Sequence, residues 1–280
     1  MTGLISKERY RTDIISLWQE CFGDEEEYVE FFLDGCPSEC IAVTENDRLV
    51  SMLFLLDGNI GNFKVKYIYA ACTAKNHRGK GLMQKLIEYA KAYCTQISYD
   101  ALFLVPAEES LYGYYDKLGF MYGFERSEYS FSGASLNFTE LKELTDIDEI
   151  MNARYLLTDK EKTFLFDDEV NKYAVKEHIF SGGRVFVNNG VMADFITFAI
   201  FEEENVYIKE ILCSKHVEML KIIKQIINIG KENIYIRCPI VYNNTDKLGK
   251  YAKCGMFYPL TDEMNNSSVN KNFYAGLYLD

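Results

Sequence analysis

Histidine is scarce in this chain of 280 residues: there are three, His77, His178 and His216, each alone in its stretch. They are too few and too dispersed for a histidine-based metal site or a histidine-centred triad. Basic charge is also short, with 30 Lys and Arg against 42 Asp and Glu and a formal net charge of -12. The deficit is shared, with 13 bases against 20 acids up to residue 130 and 17 against 22 beyond it. A general nucleic-acid binder neutralises phosphates with a basic face, so nucleic acid is not an expected partner; a cationic molecule is. Long apolar runs are missing too. None approaches the ~20 residues of a membrane span, and even "VMADFITFAIF" is short and carries Asp194. The opening "MTGLISKERYRTD" has no apolar h-region, so neither a membrane nor a secretory route is expected, and the cytoplasm is. The eight cysteines lie scattered in apolar contexts, and Cys36 and Cys40 form a lone C-x3-C without a second pair or a nearby histidine. That reads as reduced, mostly buried thiols and no metal.

Apolar and aromatic residues are plentiful, at 48% and 15%, so the chain can bury the core of one large or two ordinary domains. Periodicity places an amphipathic helix over 11–22 and an acidic one in "DEEEYVEFFLDG". "CIAVTENDRLVSMLFLLDG" reads as a hairpin about a polar turn, and "FKVKYIYAACT" as a strand. A helix follows, with Leu82, Met83, Leu86, Ile87, Ala90 and Cys94 on its core face. Next come a buried strand "ALFLVP", a short helix ending at Gly119, and one or two closing strands in "MYGFERSEYSFS". The order predicted to residue 130 is α, α, β, β, β, α, β, α, β. "SGASLNF", residues 132 to 138, is the best linker candidate. A new helical pattern starts in "DIDEIMNARYLL", followed by three strand-like runs from Gly183 with an NNG turn between the first two.

The halves resemble each other. Tyr67 and Ile68 align with Tyr207 and Ile208, an offset of 140, while Tyr115 and Gly119 align with Tyr251 and Gly255, an offset of 136. The net loss of four residues from the second copy falls where "RGKG" has no counterpart.

That glycine turn lies in "NHRGKGLMQKLIEYAKAYC", residues 76 to 94. A strand ends near Thr73 and a helix begins near Gly79, so the first helical N–H groups, without intrahelical acceptors, face outward where the helix dipole is positive. Gly79 and Gly81 allow close approach to the backbone, and Arg78 and Lys80 add charge: the reading is anion capture. The chain has no G-x4-G-K-[ST] string, and Gln84 replaces the third glycine of a Rossmann fingerprint. The motif left is R-x-x-G-x-[GA], which Arg78 to Leu82 fit and from which Met83 departs. A second signature, Y-x-x-x-G-[FY], follows at Tyr115 to Phe120 after "LFLVP".

With both signatures in order, residues 1 to 130 resemble the GNAT N-acetyltransferase superfamily, and the repeat resembles its tandem arrangement, as in the first two domains of Eis-like acetyltransferases. The resemblance implies an α/β (α+β) fold of two GNAT-like domains, 1–131 and 132–280. Each would be a mixed, mostly antiparallel sheet flanked by helices, the second lacking the CoA pyrophosphate loop. It implies acetyl-CoA as co-substrate, held between splayed strands at 64 to 73 and 101 to 106. The pantetheine arm would lie along Ala71, Cys72 and Thr73, and the pyrophosphate on Arg78, Gly79, Lys80, Gly81, Leu82 and Met83. Tyr115 would protonate the leaving thiolate, with Tyr251 structural. Glu108 is either the base or an acid in the first turn of its helix, and many relatives let water remove the proton. Residues 20 to 34 hold seven acids and no base, either an acidic rim drawing a cationic amine or a solvated face. The leading function is acetyl transfer to a primary amine of a small molecule. The alternatives are a protein amine, a non-catalytic CoA sensor, and a tRNA-dependent aminoacyl transferase, which the acidic charge fits poorly.

Overall fold

The structure, a computed structural model, describes residues 1–188, 194–214, 219–239, 249–268, 273–277 and 279. The first run of elements is β1 (Thr2–Ile5), α1 (Arg11–Phe22), α2 (Glu26–Gly35), β2 (Glu39–Glu45), β3 (Arg48–Ile60), β4 (Phe63–Thr73), α3 (Leu82–Gln96), β5 (Ala101–Leu104) and α4 (Glu109–Lys117). The second is β6 (Met121–Leu136), β7 (Leu141–Leu144), α5 (Ile147–Leu157), β8 (Leu165–Phe166), α6 (Asp168–Phe180), β9 (Arg184–Asn188), β10 (Phe195–Glu202), β11 (Asn205–Cys213), α7 (Met219–Ile226), β12 (Ile227–Cys238), β13 (Gly249–Pro259) and α8 (Asp262–Ser268). The chain is thus a mixed α/β protein in which the predicted order appears, with β1 as an added edge strand.

The chain forms two compact units. The first is Met1–Tyr122 with Phe166–Val170 and Gly255–Lys271, and the second is Gly123–Leu165 with Asn171–Cys254 and Asn272–Asp280. In the first unit the strands run β1-β2-β3-β4-β5, antiparallel except where β4 and β5 pair in parallel. β2 and β3 meet at a two-residue turn whose Asn46 and Asp47 both have positive φ, 50° and 60°, the hairpin geometry that matches strand twist. Eight consecutive residues of β3 are buried, as a strand covered on both faces requires. α3 packs Leu82, Leu86, Ile87, Ala90 and Cys94 into a core with Ile41, Leu53, Ile68 and Leu102. α1 lays Trp18 against Phe32, Phe54 and Tyr69.

The strand beside β5 is not the one read as closing this sheet. Met256–Pro259 of β13 pair with Leu104–Ala101. Most of β6 instead belongs to the second unit and pairs with β12 from Ser127 to Leu136. Residues 132–136, read as a linker, are therefore strand. Their small residues serve a close approach: Gly133 takes φ +64° where the β6–β12 register shifts. In the second unit the order continues β6-β12-β11-β10-β9-β7, with β11 and β12 parallel. α7 packs on it through Met219, Ile222, Ile223 and Ile226. The NNG turn and His216 fall at least partly outside the described residues.

Candidate active site

β4 and β5 stay together for three residue pairs only, Val65 with Ala101, Lys66 with Leu102 and Tyr67 with Phe103. Beyond Tyr67, β4 runs on to Thr73 without β5, so the two strands splay. The stretch of β4 past this point carries a β-bulge. Against β3, Tyr69 pairs with Phe54 and Cys72 with Met52, three steps on β4 for two on β3. Ala70 takes the strain, with φ +46°, a region that costs a residue bearing Cβ about 1–2 kcal/mol. A bulge leaves ladder groups unpaired, so backbone N–H and C=O groups of half-buried Ala70 and Ala71 lie at the opening.

Because β4 and β5 are parallel and each leads into a helix, the N-termini of α3 and α4 lie at the same edge as the splay. Between Thr73 and α3 the chain makes a short 3-10 turn at Lys75–His77, then places Gly79 (φ +75°) and Gly81 (φ +71°) in the left-handed region. A Cβ at either glycine would meet nothing within 4 Å, so both face open space. Gly81 caps α3 without a side-chain hydrogen bond, and the first intrahelical bond runs from Lys85 N to Gly81 O, 3.1 Å. The N–H groups of Leu82, Met83 and Gln84 therefore precede the helical ladder, at the positive end of a 15-residue helix. The helix starts three residues later than Gly79. Met83, the departure from the motif, packs against the core behind the turn. These features fit a pyrophosphate by the chemistry of the donors and the room before them.

The base of the turn is tied down. Ser51 Oγ lies 2.7 Å from Thr73 Oγ1 and donates to Cys72 O at 3.0 Å. Arg78 donates from Nε to Thr73 O at 3.1 Å and from Nη2 to Cys21 Sγ at 3.8 Å. The exposed guanidinium keeps further N–H donors for an anion, and Lys80 is exposed beside it. The hydrogen bond from the Cys72 thiol, with Arg78 alongside, holds the half-buried Cys21 thiol down to about 6. Cys72 is itself raised, first by that bond and then by burial. Burial also pushes Cys36, Cys40, Cys94, Cys238 and Cys254 up. A brief pulse of iodoacetamide at pH ~7 is therefore expected to label Cys21 ahead of these six, since the thiolate is the nucleophile. The rate should fall as pH drops through about 6, where Cys21 protonates. Peptide mass spectrometry reads the outcome; equal labelling of Cys21 and Cys94 would contradict it.

The second signature has a structural meaning. Phe120 N donates to Tyr115 O at 3.1 Å and Gly119 N to Asp116 O at 2.8 Å, the paired bonds of a Schellman motif closing α4. Gly119, at φ +83°, is its left-handed residue, and the Phe120 ring packs edge-on to Tyr115 with centroids 5.8 Å apart. Tyrosine, glycine and aromatic thus hold the helix end as one unit. Lys91 of α3 adds a bond to Leu118 O at 2.6 Å. A Cβ on Gly119 would sit 3.0 Å from the Tyr258 ring. Gly119→Ala is expected to destabilise the protein by about 2 kcal/mol, from left-handed strain plus this contact. Thermal unfolding should show a midpoint several degrees lower, and an unchanged midpoint would refute the assignment.

Tyr115 is 8% exposed and edge-on to Tyr114, and burial pushes its phenol up to about 12. Glu108 stands at the N-cap of α4, exposed, accepting from Ser110 Oγ at 3.3 Å and making no side-chain cap bond. Tyr251 is 58% exposed and lies on strand β13, not on a helix end. Of the seven acids at 20–34, Glu20 accepts from Lys75 N, Asp24 caps the Trp18 indole, and Glu30 and Asp34 pair with Arg11. Glu25, Glu26 and Glu27 are exposed at the start of α2.

The sequence misses Ala70, since alanine carries no turn signal. It also misses the pair Tyr28 and Tyr69, whose hydroxyls lie 3.0 Å apart beside the bulge.

Splayed parallel strands beside a bulge, opening at a glycine-capped helix N-terminus, define a GNAT fold. The comparisons agree. Residues 5–123 match the acetyltransferase (GNAT) domain family. A conserved protein of unknown function from Enterococcus faecalis, described as a probable N-acyltransferase, is similar at 13% identity and TM-score 0.73, over 93% of this chain and 72% of that one. Eis1 from Mycobacterium abscessus is similar at 7% identity and TM-score 0.65, over 93% and 74%. A tandem GNAT protein from the clavulanic acid biosynthesis pathway is similar at 10% identity and TM-score 0.54, over 93% and 98%. No curated protein matches the chain. Residues 5–123 thus match a GNAT acetyltransferase domain, and the chain as a whole shares the fold of two-domain GNAT structures.

Proposed function

We propose that this protein transfers an acetyl group from acetyl-CoA to a primary amine of a small molecule. The observation that carries the reading is the coincidence, at one edge of one sheet, of the bulged and splayed β4 with the open, glycine-capped start of α3. Acetyl-CoA would supply an activated thioester. The N–H groups of 82–84, with Arg78 and Lys80, hold the pyrophosphate. Ala71, Cys72 and Thr73 present strand backbone to the pantetheine amides. A backbone N–H at the bulge polarises the thioester carbonyl as the amine attacks. Tyr115 donates to the sulfur as charge builds there. Glu25, Glu26 and Glu27 favour a cationic acceptor, and water or Glu108 takes its proton. On this reading residues 1–131 are the cofactor domain and 132–280 a degenerate copy. The segment joining β11 to α7, Ser214 to Glu218, has no glycine. Eight free thiols fit a reducing cytoplasm.

The test is CoA release over a panel of aminoglycosides, polyamines and amino acids, with acetyl-CoA thermal shift run alongside. A shift together with CoA release on one amine class supports the reading. A shift with no release on any amine leaves a CoA-binding protein without transfer, and no shift removes acetyl-CoA altogether.

A further inference from the structure

The two copies treat the same sheet position in opposite ways. In the first unit Tyr67 stands opposite Leu56 of β3 and Phe103 of β5. Phe166 lies edge-on to Tyr67 at 5.6 Å, and Tyr67 and Phe103 are 2% and 0% exposed. In the second unit the same row is Ile200 of β10, Tyr207 of β11 and Tyr235 of β12, continuing to Ser130 of β6. Tyr207 and Tyr235 are stacked, with centroids 5.2 Å apart and planes at 15°. They are 37% and 41% exposed, and a groove of about 510 Å³ lies over them. A row sealed in one copy is thus open in the other, and where it is open both rings bear hydroxyls.

The groove has a second row. Two residues along, Lys209 and Arg237 line it, with Glu128 opposite Arg237, and exposed Lys250 joins from β13. Its three cations against Glu128 and Glu202 give it a positive excess on a chain of net charge -12. Two strand residues span ~7 Å, so the groove offers ring surface and cationic charge at that separation. Ser130, exposed and without a ring, leaves room beside the outer face of Tyr235. Stacking on an aromatic side chain tolerates any flat base, while the cations require an acidic group.

We propose that this groove of the second unit binds a nucleoside monophosphate, its base continuing the Tyr207–Tyr235 stack over Ser130 and its phosphate on Lys209, Arg237 and Lys250.

Guanosine 5′-monophosphate is the probe, because acetyl-CoA contains no guanine. Titration calorimetry and saturation-transfer NMR on the full chain should show it binding at least ~10-fold more tightly than guanosine or ribose 5-phosphate, each of which has only one of the two features. Tyr235→Ala should weaken it by ~10-fold or more. Ser130→Phe, which puts a ring at the exposed position beside Tyr235, should do the same with an unchanged melting midpoint. Arg78→Glu should leave it unaltered. Binding no tighter than ribose 5-phosphate, or indifferent to both groove substitutions, would overturn the proposal. So would loss of binding in Arg78→Glu, which would place the nucleotide in the first unit.

Discussion

Gly81→Asp is expected to lower acetyl-CoA affinity by ~100- to 1000-fold, about 3–4 kcal/mol, while leaving the fold intact. The two effects separate because the position is strained but empty. At φ +71° a side chain carries left-handed strain, which aspartate and asparagine tolerate best, and a Cβ there meets nothing within 4 Å. The carboxylate would also stand at the uncapped N-terminus of α3, where a negative charge contributes roughly 0.3–1 kcal/mol and offsets part of that strain. The melting midpoint should therefore move by only a few degrees. For binding, the same carboxylate occupies the place assigned to pyrophosphate and repels it. Gly81→Asn separates charge from shape: with similar bulk and no charge it should lose only ~10-fold. Calorimetric titration with acetyl-CoA reads all three proteins. If the aspartate variant binds as the wild type does, the turn is not the anion site.

The parts legible in the sequence are those whose cause is local. Gly79, Gly81 and Gly119 are glycines because the backbone turns left-handed at each, and composition alone suggests that. α1 begins and ends at the predicted residues because its apolar stripe and Gly23 cap are local signals. What local signals leave open is which strand pairs with which. "MYGFERSEYSFS" has strand character in either sheet, and only the tertiary pairing puts most of it beside β12 and brings Met256–Pro259 to β5. The aligned tyrosines show the same limit. Y-x-x-x-G closes a helix at Tyr115 because α4 supplies the carbonyls of a Schellman motif, whereas at Tyr251 the same letters lie in a strand. The bulge recurs with clear register in both copies. Opposite β10, Glu210 pairs with Phe198 and Ile208 with Ala199, leaving Lys209 as the extra residue. Glu210 holds the place that Ala70 has in the first copy, and it is buried in a bidentate pair with Arg154 at 2.6 and 3.2 Å. By the offset of 140 Ala70 thus aligns with a buried, ion-paired carboxylate in the second copy.

Tyr115→Phe is expected to lower kcat by ~100-fold and to change the KM for acetyl-CoA by less than about threefold, because the hydroxyl acts only as the thiolate leaves. Its fold cost is small: the hydroxyl has no hydrogen-bond partner among the described residues, and the ring keeps its contacts with Tyr114 and Phe120. The raised phenol, near 12, decides how it works. A CoA thiol is a much stronger acid than that, near the ordinary thiol range of ~8.5. On the proposed mechanism Tyr115 would therefore not release its proton ahead of C–S cleavage; it would donate a hydrogen bond that strengthens as charge gathers on sulfur. On that mechanism the protonated form would be the working one. Its contribution is fully present below the raised value and is lost only as pH climbs through about 12. Wild-type and Tyr115→Phe kcat profiles should then run parallel between pH ~7 and ~10, with no alkaline limb unique to the wild type. A limb near pH ~8 that disappears in the variant would show the phenol ionising far lower than its burial requires. A variant retaining more than about a third of wild-type kcat would move the protonation of sulfur to solvent.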